Sequence, residues 1–118
     1  MGLDIFITKH SRIGYFSKVN FLVKYFSDLG FDVNNKTPFP ISKEDVEILL
    51  SRCKEVMKDH NKAQELLPTM DGFFFGSTSY DEQYFEDVED VKVYLEETLI
   101  PEFDYLNERD VIFFEIWY

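Results

Sequence analysis

The residues best suited to bind a ligand lie between Gly72 and Thr78, where three phenylalanines stand between two glycines and hydroxyl side chains follow. Ser77 and Thr78 precede a predicted helix, and backbone N–H groups at a helix start favour an anion. The rings of Phe73 and Phe75 can stack on a planar base. This stretch therefore predicts a small nucleotide- or anion-binding loop.

Three residues outside the loop complete this hypothesis, namely Lys18, Asn20 and Lys24. Either lysine can meet a phosphate group through its ammonium charge. Asp81 and Glu82 weigh against a phosphate ligand, because their carboxylates follow the loop closely and repel it. The alternative is that the hydroxyls only cap the helix and that the phenylalanines belong to the core.

A second candidate surface is acidic and rich in tyrosine. Residues 77–118 contain thirteen Asp or Glu against two Lys or Arg, which accounts for the whole net charge of −11. Such a surface attracts a basic partner by electrostatic steering, and tyrosines are enriched at protein interfaces. We predict that it binds a basic protein partner through Tyr80, Asp81, Glu82, Tyr84, Glu86 and Asp87. The alternative is that the charge only keeps an aromatic-rich protein in solution.

Catalytic and metal-binding chemistry has little support in the residue types. The chain has one cysteine, Cys53, and two histidines, His10 and His60, without the spacing of a zinc site or a triad motif. Glu82 and Glu86 share a helix face, but no calcium-loop pattern accompanies them. We therefore assign no catalytic residue, no metal ligand and no cofactor, and expect a protein that is not an enzyme. Direct nucleic-acid binding is not expected, since phosphate contacts need a basic face.

Length and composition predict a single domain over residues 1–118. The aromatic fraction of 18% argues against disorder. No apolar run approaches the roughly 20 residues that cross a bilayer, and the start of the chain lacks a signal-peptide pattern. No membrane association is therefore expected. A lone cysteine fits a reducing cytoplasm.

The fold that positions these residues is predicted from apolar periodicity. Leu3–Thr8 and Val111–Tyr118 are rich in β-branched and aromatic residues and are predicted strands. They should pair, because an isolated apolar edge strand is a liability. The predicted class is α+β, with three helices packed on a small sheet that the N- and C-terminal strands form.

Three helices are predicted between the terminal strands. They are Tyr15–Leu29, ended by Gly30; a helix capped by Ser42 and ended at His60–Asn61; and a helix capped by Ser79 and Glu82 that Pro101 ends at Ile100. Ala63–Leu67 can add a turn, and Gly72–Gly76 is either a short strand or an extended loop on the core. Cys53 lies in an apolar stripe and is predicted to be a core residue.

Parts of the chain resemble a family of small uncharacterised phage and prophage proteins. The resemblance includes the opening MGLD and the segment LLPTMDGFFFGSTSYDEQYFED, which runs from Leu66 to Asp87. It also includes the helix positions Tyr15, Phe16, Lys18, Asn20, Lys24 and Phe26, whereas Val23 stands where the family often has histidine. The resemblance implies a phage or prophage origin and expression in the cytoplasm of a bacterial host. The basic partner of the acidic surface is then expected to be a host protein, which this protein binds as an inhibitor or nucleic-acid mimic. The resemblance implies no activity.

Overall fold

The fold is built on one antiparallel sheet, in a computed structural model that describes residues 2–34, 36–72, 75–107 and 110–118. Its strands are β1 (Asp4–Thr8), β2 (Arg12–Ser17), β3 (Phe39–Ile41) and β4 (Ile112–Trp117), in the order β2-β1-β4-β3. The predicted pairing of the terminal strands is confirmed, since β1 and β4 pair along five positions from Asp4–Trp117 to Thr8–Phe113. The two outer strands were not predicted.

Helices fill the chain between β2 and β4. They are α1 (Asn20–Asp28), α2 (Lys43–Lys58), a 3₁₀ turn (His60–Lys62) leading into α3 (Ala63–Leu66), α4 (Glu82–Tyr94), a π-helical turn (Leu95–Leu99) and α5 (Ile100–Asp104). Counting the last three as one continuous helix, the described residues form four helices, not the predicted three. The α+β class is confirmed. None of the described helices has the length and apolar character needed to cross a membrane.

The predicted start of the first helix at Tyr15 is wrong. Tyr15 and Phe16 belong to β2, where they pair with Phe6 and Ile5 of β1. The four-residue step from Tyr15 to Val19 imitates a helical stripe, but pairing with β1 satisfies the backbone of this segment instead. Because β2 continues to Ser17 and a short turn follows it, the helix begins only at Asn20.

Both predicted ends of the third helix also differ from the structure. The helix begins at Glu82, and its N-cap is Asp81, whose carboxylate accepts a hydrogen bond from the Tyr84 N–H at 3.0 Å. It also continues past Pro101, which lies in the first turn of α5 just after the π-helical turn. Proline has no N–H to donate, and Pro101 directly follows the π-helical turn, where the regular hydrogen-bond pattern of the helix is already changed.

The helices pack on one face of the sheet only. The inward positions of the central strands, Ile5 and Ile7 of β1 and Phe114 of β4, are buried with the apolar faces of the helices. The predicted stripes of α2 and α4 are buried in the same core. Cys53 is fully buried, as predicted, and burial raises the pKa of its thiol to about 12.

Candidate functional site: a cleft beside the start of helix α4

The Leu67–Asp81 loop, which joins α3 to α4, contains most of the stretch singled out in the sequence. Phe73 and Phe74 lie outside the described residues, so the role of Phe73 stays a prediction. Phe75 is 6% exposed, and its ring centroid lies 5.0 Å from that of Tyr118. Phe75 is therefore a core residue, which is the alternative that the sequence left open.

Asn20 holds the two arms of the Leu67–Asp81 loop together. Its side chain is 3% exposed and donates to the carbonyl oxygens of Phe75 at 3.1 Å and Ser77 at 2.9 Å. Its carbonyl oxygen accepts from the Met70 N–H at 3.0 Å. Asn20 lies at the first position of α1, and its amide is occupied by the loop. Its place in the structure is to fix the loop against α1.

A second set of hydrogen bonds closes the loop on itself and ties its beginning to α4. The Tyr84 hydroxyl donates to the Leu67 carbonyl at 2.6 Å, and the Thr69 hydroxyl donates to the Thr78 carbonyl at 2.9 Å. The Tyr80 hydroxyl accepts from the Thr69 N–H at 3.1 Å. The hydroxyl groups of Tyr80 and Tyr84 therefore hold the beginning of the loop, at Leu67 and Thr69, beside the start of α4.

The loop also touches the turn between β2 and α1 closely. Lys18 has a left-handed backbone with φ of 60°, and its N–H donates to the Leu3 carbonyl at 2.8 Å. Opposite it, Gly76 has φ of +88°, and a Cβ on Gly76 would lie 3.2 Å from the Lys18 Cβ. Glycine fits this position because it accepts positive φ and leaves room for Lys18.

A cleft of about 300 Å³ lies where the β2–α1 turn, the loop and the first turns of α4 meet. Most of its lining residues are of polar type, and those whose side chains carry charge are Lys18, Asp81 and Asp87. Hydroxyl groups come from Ser17, Thr69, Ser77 and Ser79, and Gln83 adds an amide. The cleft thus holds more negative than positive charge, which disfavours a phosphate and favours a cationic group.

The predicted ligand residues are only partly brought together. Lys18, Asn20 and Ser77 line the cleft. Lys24 lies elsewhere on α1 and pairs with Asp28 at 2.9 Å. Thr78 lies beside the cleft, and its carbonyl is used by Thr69. The polar cleft residues that the sequence assigned to neither candidate site are Ser17, Thr69, Ser79 and Gln83. The β-branched and aromatic residues Ile13, Tyr15 and Phe16 were the signal for a strand that would have placed the turn here.

The predicted partner residues separate into an exposed set and a buried one. We define the acidic face as Asp81, Glu82, Glu86, Asp87 and Asp90, which line one side of α4 from its cap onwards. Tyr84, in contrast, is 5% exposed, so its ring packs in the core, although its edge borders the cleft. Tyr80 is half-buried by its contact with Thr69. The acidic face therefore offers carboxylates rather than tyrosine rings.

Asp87 has a pKa that reflects both burial and repulsion among the carboxylates of the acidic face. Its pKa is raised, first by burial and also by the carboxylates of Asp90, Glu86 and Asp81, while a hydrogen bond from Gln83 at 3.0 Å lowers it. Like charges close to one another disfavour the ionised form. An approaching cation would relieve this repulsion and would lower the pKa of Asp87.

A shallow depression of about 500 Å³ borders the other side of the acidic face. Its apolar floor includes His60 and Phe85, whose rings stack with centroids 3.7 Å apart and planes 10° apart. Glu82 and Glu86 stand at its edge. The acidic face therefore lies between a polar cleft and an aromatic depression.

Comparison with protein-family models, with curated proteins and with solved structures finds no match to this chain.

Proposed function

We propose that this protein acts by binding a basic partner through the acidic face of α4, without chemistry of its own. In this proposal it is a phage-type protein, and the partner is a host protein in the bacterial cytoplasm. The partner presents lysine or arginine side chains, as a nucleic-acid groove does, and the acidic face takes the place of phosphates. The protein then works as an inhibitor or nucleic-acid mimic.

One observation carries this proposal. In the described part of the chain, no lysine or arginine forms an ion pair within 4 Å of any carboxylate of the acidic face. Other acids of this region do have partners, since Glu102 pairs with Lys9, and Asp104 pairs with Lys43. The five carboxylates of the acidic face, none of them in an ion pair among the described residues, therefore lie together on one helix face, where a basic partner gains the most from them.

The surroundings of the acidic face suit a protein partner better than a small ion. No three His, Cys, Asp or Glu side chains of the described residues form a group that could hold a metal ion. The cleft can admit one long cationic side chain toward Asp81 and Asp87. The depression at His60 and Phe85 offers apolar area to a neighbouring part of the same partner, and aromatic contacts commonly anchor interfaces.

The test is capture of partners from a bacterial lysate on immobilised protein at low and at raised salt. The triple variant Glu82→Gln/Glu86→Gln/Asp90→Asn removes three charges from the acidic face and leaves the cap residue Asp81 in place. A specific partner should be retained by the natural protein, lost from this variant and released by salt, because exposed charge pairs are screened. Excess DNA should displace a partner that is held through its nucleic-acid groove.

The matched control is Glu44→Gln/Glu47→Gln/Glu65→Gln, which removes three exposed charges from α2 and α3. Retention by the control and loss from the acidic-face variant supports the proposal. Equal loss from both variants would show that only net charge matters, and equal retention by both would show that the acidic face is not the contact surface. Either result rejects the proposal.

A second candidate function, anion or nucleotide binding by the Gly72–Thr78 loop, rests on Lys18. Lys18 lines the cleft beside Ser77, and no carboxylate of the described residues lies within 4 Å of its ammonium group. A ligand that binds only the folded state raises the melting temperature. A thermal-shift series with inorganic phosphate and nucleotides should therefore show stabilisation.

The matched pair for this candidate is Lys18→Gln and Lys24→Gln, since Lys24 lies outside the cleft. Stabilisation that disappears in Lys18→Gln but persists in Lys24→Gln favours the candidate. An unchanged melting temperature across the series removes it and leaves the acidic-face proposal intact.

A further inference from the structure

The sheet face opposite the helices is uncovered in the described part of the chain and carries aromatic rings. We call it the outer sheet face; it comprises the side chains of Phe6, Arg12, Tyr15, Phe113, Glu115 and Trp117, with Asp4 at its edge. Tyr15 is 55% exposed and Trp117 is 36% exposed. The rings of Tyr15 and Trp117 lie on either side of Phe6, with centroids 5.4 and 5.7 Å from its own.

Two cations rest on these rings. The guanidinium carbon of Arg12 lies 3.8 Å from the Phe6 ring centroid, and the Lys36 ammonium lies 4.9 Å from that of Trp117. Among the described residues, neither cation has a carboxylate within 4 Å, and Glu115 has no cation within that distance. Together with Lys36, which lies on Trp117, the outer sheet face therefore has two positive side chains, Arg12 and Lys36, and two negative ones, Asp4 and Glu115, in a protein with net charge −11.

We propose that the outer sheet face binds the outer sheet face of a second copy, forming a two-fold symmetric dimer. A two-fold interface uses the same patch on both subunits, so the patch must be complementary to itself. The strand register provides this complementarity when the axis lies in the interface, parallel to the strands and between β1 and β4. Rotation about that axis places β1 of one copy over β4 of the other.

The charges then meet in opposite pairs. Phe6 and Glu115 are partners in the register, so Phe6 of one copy faces Glu115 of the second copy, and Arg12 already lies on that Phe6 ring. Asp4 and Trp117 are likewise partners, so Asp4 of one copy faces Trp117 of the second copy, on which Lys36 lies. The dimer therefore forms two Arg12–Glu115 pairs and two Lys36–Asp4 pairs between copies.

The distribution of charge across the molecule also favours this arrangement. Helix α4 packs on the inner side of the sheet, as shown by Val91 and Ile7 lining one small apolar void. Joining outer sheet faces keeps the two acidic helices on opposite sides of the dimer, where their repulsion is weakest. A single-stranded nucleic acid could also stack on the rings, but it requires an excess of positive charge that this face lacks.

The expected geometry is two aligned sheets about 10 Å apart, with strands rotated by about 30°. Each face measures about 19 Å across four strands and about 17 Å along five residues. The flat area of such a patch is about 320 Å² on each copy, below the roughly 800 Å² per partner of a standard interface. The dimer should therefore be weak and should depend on protein concentration. The aromatic rings supply the apolar area, and the charge pairs fix the register.

The first measurement follows Trp117, the only tryptophan of the chain. Sedimentation should show conversion from monomer to dimer as concentration rises, and Trp117 emission should shift to shorter wavelength over the same range as the ring leaves water. A protein that stays monomeric at the highest attainable concentration overturns the proposal. Trp117 quenching by an oligothymidylate, without dimer formation, overturns it in favour of nucleic acid.

The second measurement mixes two charge variants. Arg12→Glu and Glu115→Arg should each abolish the dimer, because like charges then face each other between copies. An equimolar mixture should restore dimerisation, since the new carboxylate of one variant meets the new guanidinium of the other, while the natural Arg12 and Glu115 meet at the second pair. This rescue occurs only between molecules, so a folding defect within one chain cannot produce it.

Glu44→Arg on α2 is the control for the mixing experiment, because it changes charge by the same amount as Glu115→Arg at an exposed site away from the sheet. It should dimerise as the natural protein does. If the two variants fail to dimerise both alone and mixed, while circular dichroism shows both folded, the proposed register is wrong. Dimerisation by either variant alone also overturns it.

Discussion

Asn20 is the residue on which the shape of the candidate site depends most. Its amide is 3% exposed and uses both hydrogens and its oxygen to contact Phe75, Ser77 and Met70. Buried polar groups stabilise a fold when every partner is satisfied and destabilise it when one is removed. The sequence pointed to Asn20 as a ligand contact, whereas the structure uses its amide to hold the loop.

Asn20→Ala should destabilise the protein by about 2–4 kcal/mol, since it leaves two carbonyl groups and one N–H without their partner. Urea unfolding measures the loss, and hydrogen exchange at Met70 should accelerate more than exchange in α2. Asn61→Ala, at an exposed position, is the control and should change stability by no more than about 0.5 kcal/mol. A change in Asn20→Ala no larger than the control would contradict this role.

The buried cysteine thiol and tyrosine hydroxyl groups predict that the protein loses stability in alkaline solution. Burial raises the pKa of Cys53 and of Tyr25 to about 12, and it also raises the pKa of Tyr84 and Tyr94. The unfolded chain ionises these groups near their ordinary values of about 9 and 10, while the folded protein keeps them protonated. Proton release therefore favours unfolding above about pH 9, and their contribution to stability is complete below that pH.

The free energy of unfolding should fall between about pH 9 and 12, by as much as about 1.4 kcal/mol per pH unit for each group. Urea unfolding across this range measures the slope. Tyr25→Phe should make the slope shallower, because one titrating group is gone. Tyr105→Phe is the control, since Tyr105 is 76% exposed. Equal slopes in the two variants would show that Tyr25 titrates normally in the folded protein.

At the scale of elements, the start of α4 sets both the cleft and the acidic face. The sequence contains two possible starts, Ser79 and Asp81, each followed three residues later by a suitable N–H group. In the structure the carboxylate of Asp81 accepts from Tyr84, while the Ser79 N–H donates to the Ser77 hydroxyl at 3.1 Å. Ser79 thereby belongs to the loop, and its place at the cleft follows.

Asp81→Ala should cost about 1 kcal/mol of stability, as the loss of a helix cap usually does. Ser79→Ala, the matched substitution at the other possible cap, should cost clearly less, because Ser79 has no capping contact with α4. Thermal or urea unfolding of the two variants gives the comparison. A larger loss from Ser79→Ala would move the helix start back to the position that the sequence predicts.

At the scale of the whole molecule, charge is separated between two sides of the sheet. The acidic face lies on α4, on the side of the helices, and the outer sheet face has balanced charge. Uncompensated carboxylates repel one another and destabilise the compact state. The same feature that favours a basic partner therefore makes the free protein sensitive to salt.

Raising salt from low concentration to about 1 M, where the screening length is about 3 Å, should increase the free energy of unfolding. The variant Glu82→Gln/Glu86→Gln/Asp90→Asn should be more stable than the natural protein at low salt and should respond less to added salt. The Glu44→Gln/Glu47→Gln/Glu65→Gln variant should keep the full response. A salt response that is the same in both variants would place the repulsion elsewhere.

The sequence by itself determined the α+β class, the pairing of the terminal strands and the apolar faces of α2 and α4. The class and the pairing follow from the β-branched and aromatic content of the two terminal segments, and the helix faces follow from three- or four-residue spacing from Val46 to Val56 and from Tyr84 to Leu95. The cap at Ser42 was likewise predictable, because its hydroxyl contacts the Asp45 N–H, three residues away. The sequence also showed that residues 77–118 account for the whole net charge, since charge can be counted without knowing the fold.

Features that depend on contacts between residues far apart in the sequence were decided only by the tertiary structure. Tyr15 entered β2 because β1 pairs with it, although its spacing to Val19 fits a helix equally well. Asn20 became a buried link because a loop at least 50 residues away supplies its partners. Contacts between distant parts of the chain likewise bury Phe75 and place Lys18, Asp81 and Asp87 in the lining of one cleft. Short-range periodicity records which face of an element is apolar, whereas the partner of that face depends on how the whole chain closes.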